Sequence, residues 1–225
     1  KTHYRWNSGV NVTVRMPTGG GVNAGPFHSQ NLESLFTHIP GLKIVYPSNA
    51  IDVKGLLVSS INDPNPILFF EHKLLYRTQK SDVPKEIYNL EIGKGKIINK
   101  GSDITIVSYG LAVVWVENLI DELIKDNISV ELIDLRSLIP WDKEIVFESI
   151  KKTNKALIIH EANQTSGFGA EIAATINENM FEFLDAPVRR LASIDTPTPF
   201  GVHLEQEIFW PKDKIISTIK EIIRY

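Results

Sequence analysis

Residues 10–38 read VNVTVRMPTGGGVNAGPFHSQNLESLFTH, and the expected fold class follows from them. The β-branched run at residues 10–15 predicts a strand. A glycine-rich loop follows at residues 18–26, and glycine lets a backbone approach a ligand closely. Residues 29–38 place apolar side chains at the i, i+3, i+4 spacing of an amphipathic helix, which we expect to end before Pro40.

The rest of the chain continues this alternation. Strands are predicted at residues 42–46, 67–70, 104–108, 129–134, 156–159 and 188–194, and helices at residues 49–61, 111–125, 141–151, 170–180 and 212–224. Alternating strands and helices imply βαβ crossovers and a mainly parallel sheet. Residues 77–101 are polar and have little periodicity, which is typical of a linker. We therefore expect two α/β domains, residues 1–80 and residues 102–225, joined by a linker at residues 81–101.

Charge and composition exclude several function classes. Lys and Arg number 24 and Asp and Glu 27, and the net charge of −3 does not favour nucleic acid or an anionic membrane as a partner. Cysteine is absent, which excludes disulfides, thiolate catalysis and Cys-ligated zinc. The longest apolar run, near residues 67–70, is far shorter than the roughly 18 residues of a membrane-spanning helix. The first residues include neither an initiator Met nor an apolar signal core, so we expect an origin inside a larger chain.

His28 is the strongest catalytic candidate, because it lies where the glycine loop ends and the predicted helix begins. Loops at the carboxyl edge of a parallel sheet are where α/β folds place their ligands. A helix N-terminus also disfavours the charged imidazolium form of a histidine. Both ring nitrogens of the neutral form can then serve proton transfer or hydrogen bonding. From the residues alone, a cap or surface histidine remains the alternative.

Three other features have two interpretations each. The triplet at residues 19–21 is a phosphate cradle or, because it lacks the spacing of the known phosphate-binding loops, a flexible turn. His160 and Glu161 are predicted at a strand end, and adjacent strand residues point to opposite faces, which favours an interface or turn pair over an acid–base pair. Arg189 and Arg190 bind a carboxylate or phosphate, or else form a structural ion pair or subunit contact.

Several stretches resemble the β subunit of the E1 component of 2-oxo acid dehydrogenases, in family order and over nearly the whole chain. They are residues 13–21 (TVRMPTGGG), 25–30 (GPFHSQ), 39–48 (IPGLKIVYPS), 52–57 (DVKGLL), 65–71 (NPILFFE), 133–142 (IDLRSLIPWD), 160–162 (HEA), 167–172 (GFGAEI) and 195–199 (DTPTP). The resemblance implies an α/β fold, with an incomplete transketolase-like pyrimidine-binding domain followed by a transketolase C-terminal domain. Residues 69–77 (FFEHKLLYR) resemble branched-chain enzymes more than pyruvate enzymes.

The resemblance also implies an activity and partners. The family decarboxylates a 2-oxo acid with thiamine diphosphate and Mg²⁺, and transfers the acyl group to the lipoyl group of the E2 acyltransferase. The expected partners are an E1 α subunit (or fused α half), a second β subunit and E2. The family histidine, which supplies a proton as the lipoyl disulfide opens, corresponds to His28. The family glutamate that activates the cofactor's aminopyrimidine ring lies upstream of residue 1, so we expect this chain alone not to complete a cofactor site.

A potassium ion is implied by the same resemblance. Its main-chain ligands correspond to Val10, Val12, Thr13, Ser60, Asp63 and Asn65. Carbonyl oxygens suit a hard cation. The alternative is an ordinary strand joined to a helix C-terminus through carbonyl–water bonds.

Two other functions remain open. One is a noncatalytic assembly module, in which residues 104–225 dimerise and anchor E2. The other is a different thiamine enzyme of the transketolase superfamily, against which the His-Ser-Gln run at residues 28–30 argues by resemblance. The expected compartment is the cytoplasm of a bacterium or the mitochondrial matrix of a eukaryote, with the cytoplasm favoured.

Overall fold

Strands and helices alternate through residues 9–209 and 212–225, the part of the chain that the computed structural model describes. The strands are β1 Thr13–Thr18, β2 Lys43–Val45, β3 Ile67–His72, β4 Lys96–Asn99, β5 Ile104–Ser108, β6 Val130–Asp134, β7 Ser137–Ile139, β8 Ala156–Asn163 and β9 Arg189–Ser193. The helices are α1 Gly25–His28, α2 Glu33–Thr37, α3 Ala50–Asn62, α4 Leu75–Thr78, α5 Leu111–Glu117, α6 Ile120–Lys125, α7 Lys143–Thr153, α8 Phe168–Met180, α9 Val202–Ile208 and α10 Lys212–Ile223. None of the helices in these residues is long and apolar enough to cross a membrane.

The strands form two sheets. The first has the order β1-β3-β2-β7, with β1, β3 and β2 parallel and β7 antiparallel to β2. The second has the order β4-β6-β5-β8-β9 and is parallel except for β4. Every residue of β5 and β6 is buried, as expected for parallel strands covered on both faces. The predicted class, a mainly parallel α/β fold, is confirmed.

The two sheets share one hydrophobic core. Ile44 and Phe70 of the first sheet belong to the same buried cluster as Val107 and Ile158 of the second sheet and Phe168 of α8. A separate cluster fills the far side of the second sheet, under α5, α6 and α10. A small third cluster lies between the first sheet and α3. The sheets therefore pack against each other as well as against their own helices.

Two short strands differ from the sequence prediction. β4 lies within the predicted linker at residues 81–101 but pairs with β6. β7 lies far along the chain but pairs with β2 of the first sheet, where Ile139 is opposite Ile44. Strands of three or four residues are too short for alternation to reveal them. The domain boundaries at residues 80 and 102 remain a proposal.

Two predicted helices are wrong in extent. Of the helix expected at residues 29–38, only Glu33–Thr37 (α2) is helical, and α1 is a separate helical turn before it. The chain leaves the helical path between them because Ser29 accepts a hydrogen bond from Ala24 N, and Asn31 turns its side chain inward. The helix expected at residues 111–125 is interrupted between α5 and α6.

Candidate active site

His28 is exposed at the surface near the carboxyl ends of β1 and β3. The sequence placed it at the start of a helix, but it is the last residue of the four-residue α1. His28 therefore lies at a helix C-terminus, and the prediction of a helix N-terminus is wrong. The carbonyl oxygen of His28 accepts a hydrogen bond from Lys73 Nζ. Phe27 beside it is 77% exposed, and its ring lies 6.2 Å from that of the exposed Phe200. The imidazole can therefore meet a partner at an accessible, aromatic surface.

The glycine-rich loop before His28 is tightly packed. A Cβ on Gly19 would lie 2.0 Å from His72 Nε2, and one on Gly20 would lie 1.9 Å from the ring of Phe209. Gly19 also has a φ of +91°, which a side chain would strain. The interpretation as a flexible turn is wrong, because glycine is needed here for close contact with side chains.

The backbone N–H groups of this loop bind two carboxylates of the protein itself. Gly20 N donates to Glu161 Oε1 at 2.6 Å. Gly21 N and Asn23 N donate to the two oxygens of Glu205, at 3.1 and 2.8 Å. Successive N–H groups of this kind form an anion-binding concavity. Buried glutamates occupy it here, so the interpretation as a phosphate cradle is wrong.

Glu161 joins the loop to both sheets. It lies within β8 instead of at a strand end. Its Oε1 accepts a hydrogen bond from Asn31 Nδ2 at 2.5 Å, and its Oε2 lies 2.7 Å from His72 Nε2. Asn31 in turn accepts from Tyr46 OH at 2.7 Å. Glu161 therefore makes contacts between the two sheets, as the interface interpretation expects, and its hydrogen-bond partners among the described residues do not include His160.

His160 and Glu33 are fully buried polar residues behind this network. The His160 ring stacks on Tyr109 with its centroid 6.0 Å away, and neither ring nitrogen has a hydrogen-bond partner among the described residues. Burial lowers the pKa of His160 to about 4. Glu33 accepts a hydrogen bond from Tyr109 OH at 2.8 Å, and burial raises the pKa of its carboxyl to about 7. No spacing in the sequence signalled these contacts.

Hydrogen bonds link four of the six predicted cation ligands in two pairs where the start of β1 meets the end of α3. Thr13 Oγ1 donates to the carbonyl of Ser60 at 2.9 Å, and Asn65 N donates to Asp63 Oδ1 at 2.8 Å. The Asn11 amide donates to the carbonyl oxygens of Ile61 and Asp63, at 3.0 and 2.6 Å. The remaining two, Val10 and Val12, flank Asn11. Asn11 and Thr13 both donate to carbonyl groups here, and the Asp63 carboxylate pairs with Lys43 Nζ. Among the described residues, no group of three His, Asp or Glu could hold a metal ion.

The arginine pair makes ordinary structural contacts. Arg190 Nη1 donates to the carbonyl of Gln164 at 2.9 Å. Arg189 lies 3.5 Å from Glu221 of α10, and both side chains are about half exposed. Neither contact involves the loop that bears His28.

The comparisons with known proteins cover the whole chain. Residues 2–79 match the family "Transketolase, pyrimidine binding domain", and residues 93–215 match "Transketolase, C-terminal domain". The chain is 44% identical over 229 residues to 2-oxoisovalerate dehydrogenase subunit beta 2, mitochondrial, of Arabidopsis thaliana, covering 100% of this chain and 63% of that protein. It is 40% identical over 228 residues to the Bacillus subtilis 2-oxoisovalerate dehydrogenase subunit beta, covering 100% of this chain and 70% of that protein.

Further relatives point the same way. The chain is 40% identical over 223 residues to the Bacillus subtilis pyruvate dehydrogenase E1 component subunit beta, covering 98% of this chain and 67% of that protein. A solved structure, "Split gene transketolase, inactive beta4 tetramer", superposes with a TM-score of 0.77 at 20% identity, over 96% of this chain and 67% of that one. That likeness shows the fold alone. The chain spans 63% to 70% of the length of these sequence relatives.

Proposed function

The chain belongs to the β-subunit family of the 2-oxo acid dehydrogenases, and on this premise we propose that it is the β component of an E1 enzyme. That enzyme decarboxylates a 2-oxo acid oxidatively and passes the acyl group to the lipoyl group of E2. The observation that carries the proposal is the exposed imidazole of His28 on a loop held by buried carboxylates. An accessible imidazole on a fixed backbone can donate a proton to a bound partner.

Thiamine diphosphate with Mg²⁺ is the cofactor that this proposal requires, and the residues present fit part of it. When bound, thiamine diphosphate supplies the carbon nucleophile and the electron sink for decarboxylation. His28 and the neighbouring phenyl rings suit its reactive end. The N–H groups of Gly20, Gly21 and Asn23 are already taken by Glu161 and Glu205. We therefore assign the diphosphate and Mg²⁺ to the α subunit.

The substrate and partners are proposed on the same grounds. A branched-chain 2-oxo acid is favoured over pyruvate because residues 69–77 resemble the branched-chain enzymes and two of the relatives above are 2-oxoisovalerate dehydrogenase subunits. The partners are an E1 α subunit, a second β subunit and E2. Relatives from a mitochondrion and from a bacterium favour the mitochondrial matrix or the bacterial cytoplasm as the compartment.

A structural potassium ion is the second part of the proposal. Its ligands would be the main-chain oxygens of Val10, Val12, Thr13, Ser60, Asp63 and Asn65. The ion would take the place of the Asn11 side-chain amide as the partner of the Asp63 carbonyl oxygen. It would then hold β1 against the C-terminus of α3.

The replacement His28→Ala tests the catalytic role in the assembled α–β enzyme. Acyl transfer to a lipoyl substrate should fall by about 10²-fold or more, because a positioned proton donor is lost. The α–β assembly should remain intact, since one exposed side chain contributes little to a subunit interface. Decarboxylation measured with an artificial electron acceptor locates the defect in one half-reaction. His38→Ala, at a second exposed histidine, is the matched control. Lipoyl acylation at the wild-type rate would remove His28 from the mechanism and favour the assembly module.

A further inference from the structure

We propose that Glu161 and Glu205 are positioning residues, which hold the His28 loop in its reactive geometry through hydrogen bonds to its backbone. This inference rests on the proposed function, because it concerns the proton transfer assigned to His28. Neither glutamate touches His28 in the contacts described above. Both act through the segment that carries it.

The loop is held on both sides of His28. Before it, Gly20 N binds Glu161, and Gly21 N and Asn23 N bind Glu205. After it, the side chain of Asn31 binds the same oxygen of Glu161 as Gly20 does. The segment between these anchors carries His28 near its middle. The two carboxylates therefore fix both ends of this segment, while Lys73 Nζ and Thr18 Oγ1 bind the carbonyl oxygens of His28 and Gln30 within it.

The anchors come from a distant part of the chain. Glu161 lies on β8 of the second sheet, 141 residues beyond Gly20, and Glu205 lies on α9, 184 residues beyond Gly21. Aromatic rings from the same region also contact the loop, with Phe200 packed on Gly25 and Phe209 on Gly20. Any shift between the sheets would therefore move His28, so the C-terminal region positions a group that the N-terminal region carries.

Buried charge indicates that these contacts do more than fill space. Glu161 is 6% exposed and Glu205 is 2% exposed. A buried carboxylate without donors is costly, and apolar side chains would fill the same space without that cost. What the carboxylates add is direction, because each oxygen meets a donor at a defined position.

Glu205→Gln is the primary test, made in the assembled α–β enzyme. The change keeps the shape of the side chain but turns an amide N–H₂ toward a backbone N–H, so one anchor is lost. The kcat of lipoyl acylation should fall roughly 10- to 100-fold, the scale of a misplaced catalytic group, while the KM for the 2-oxo acid should change about twofold at most. Glu207→Gln, exposed on the same helix, makes the same change of charge and should leave both constants within about twofold.

A second readout does not depend on activity. Amide hydrogen exchange of a peptide spanning residues 19–28 should be several-fold faster in Glu205→Gln than in the wild type or Glu207→Gln, because either Gly21 N or Asn23 N loses its acceptor. Unchanged exchange would show that Glu205 does not hold the loop. If Glu205→Gln does not assemble with α, Glu205→Asp keeps the charge but shortens the reach, and it should show the same changes to a smaller extent.

A double-mutant cycle separates positioning from a general structural effect. On the His28→Ala background, Glu205→Gln should slow acylation by less than about threefold, since the group it positions is gone. An undiminished effect there would overturn the proposal. If His28→Ala is slow while Glu205→Gln is as fast as wild type, positioning fails and the proposed function stands. If His28→Ala itself is fast, the proposed function fails.

Discussion

At the scale of single residues, three buried carboxylates lie among the polar contacts that link the N-terminal and C-terminal parts of the chain. Glu33, Glu161 and Glu205 are each at most 6% exposed. Glu161 accepts hydrogen bonds from a backbone N–H and from side chains, and Glu205 accepts from two backbone N–H groups. One oxygen of Glu33 has no partner among the described residues. Burial disfavours the ionised form of Glu33, so its contribution to stability should depend on pH.

Replacing Glu33 with Gln should stabilise the protein at pH 8 relative to pH 5. Burial raises the pKa of Glu33 from 4.5 to about 7. The group therefore contributes stability that is fully present below the unfolded pKa of 4.5 and is lost as the pH rises through about 7. Gln cannot ionise and keeps an acceptor for Tyr109 OH.

Urea unfolding at the two pH values measures this effect. The free energy of unfolding of Glu33→Gln, taken relative to the wild type, should be higher at pH 8 than at pH 5. Glu182→Gln, in an exposed turn, should show no such change. The same difference at both pH values would show that Glu33 ionises as easily in the folded chain as in the unfolded one.

At the scale of elements, the junction of β1 with α3 is held by polar contacts to carbonyl groups. Thr13 and Asn11 donate to the last carbonyls of α3 and to that of Asp63. The last carbonyl groups of a helix have no partner within the helix, so such donors satisfy them. A bound cation would serve the same groups, and this junction is where the proposed potassium ion would act.

The melting temperature should rise more with K⁺ than with Na⁺ at the same concentration. An ion that binds only the folded chain stabilises it by mass action, in proportion to RT ln(1 + [K⁺]/Kd). Differential scanning calorimetry in matched chloride salts measures the effect, with choline chloride as the control for ionic strength. Equal melting in K⁺ and Na⁺ would argue against the ion.

At the scale of the whole molecule, the shared core and the carboxylate contacts join the two sheets. Phe70 of the first sheet packs in one cluster with Val107 and Ile158 of the second. β7 adds direct backbone pairing, because it leaves the second sheet at β6 and joins the first. Neither sheet can lose its packing without exposing apolar surface of the other, so we expect them to unfold together.

Phe70→Ala tests that cooperativity. It should lower the free energy of unfolding by about 3–5 kcal/mol, the usual cost of truncating a buried phenylalanine. The unfolding midpoint should shift by the same amount in far-ultraviolet circular dichroism and in tryptophan fluorescence. Trp115 and Trp141, which contribute to the fluorescence, lie outside the strands of the first sheet. Separate midpoints for the two signals would show that the sheets unfold independently.

The sequence by itself determined the α/β class, the family and most of the longer elements. β5 has the predicted bounds, residues 104–108, and α8 and α10 differ from prediction by one or two residues. These features could be predicted because alternation and helical spacing are local patterns in consecutive residues. The glycine loop and its position before His28 were also evident. The roles of His28 and of the six cation ligands stay predictions.

Only the tertiary structure decided what the loop binds. The glycine N–H groups meet Glu161 and Glu205, which are 141 to 184 residues away. β7 pairs with a strand more than 90 residues earlier, and Glu33 is buried against Tyr109, 76 residues away. A contact between residues so far apart leaves no periodic pattern in a single sequence, because it depends on how complete elements pack. Local spacing therefore predicts the elements, and packing alone determines which carboxylates they bury.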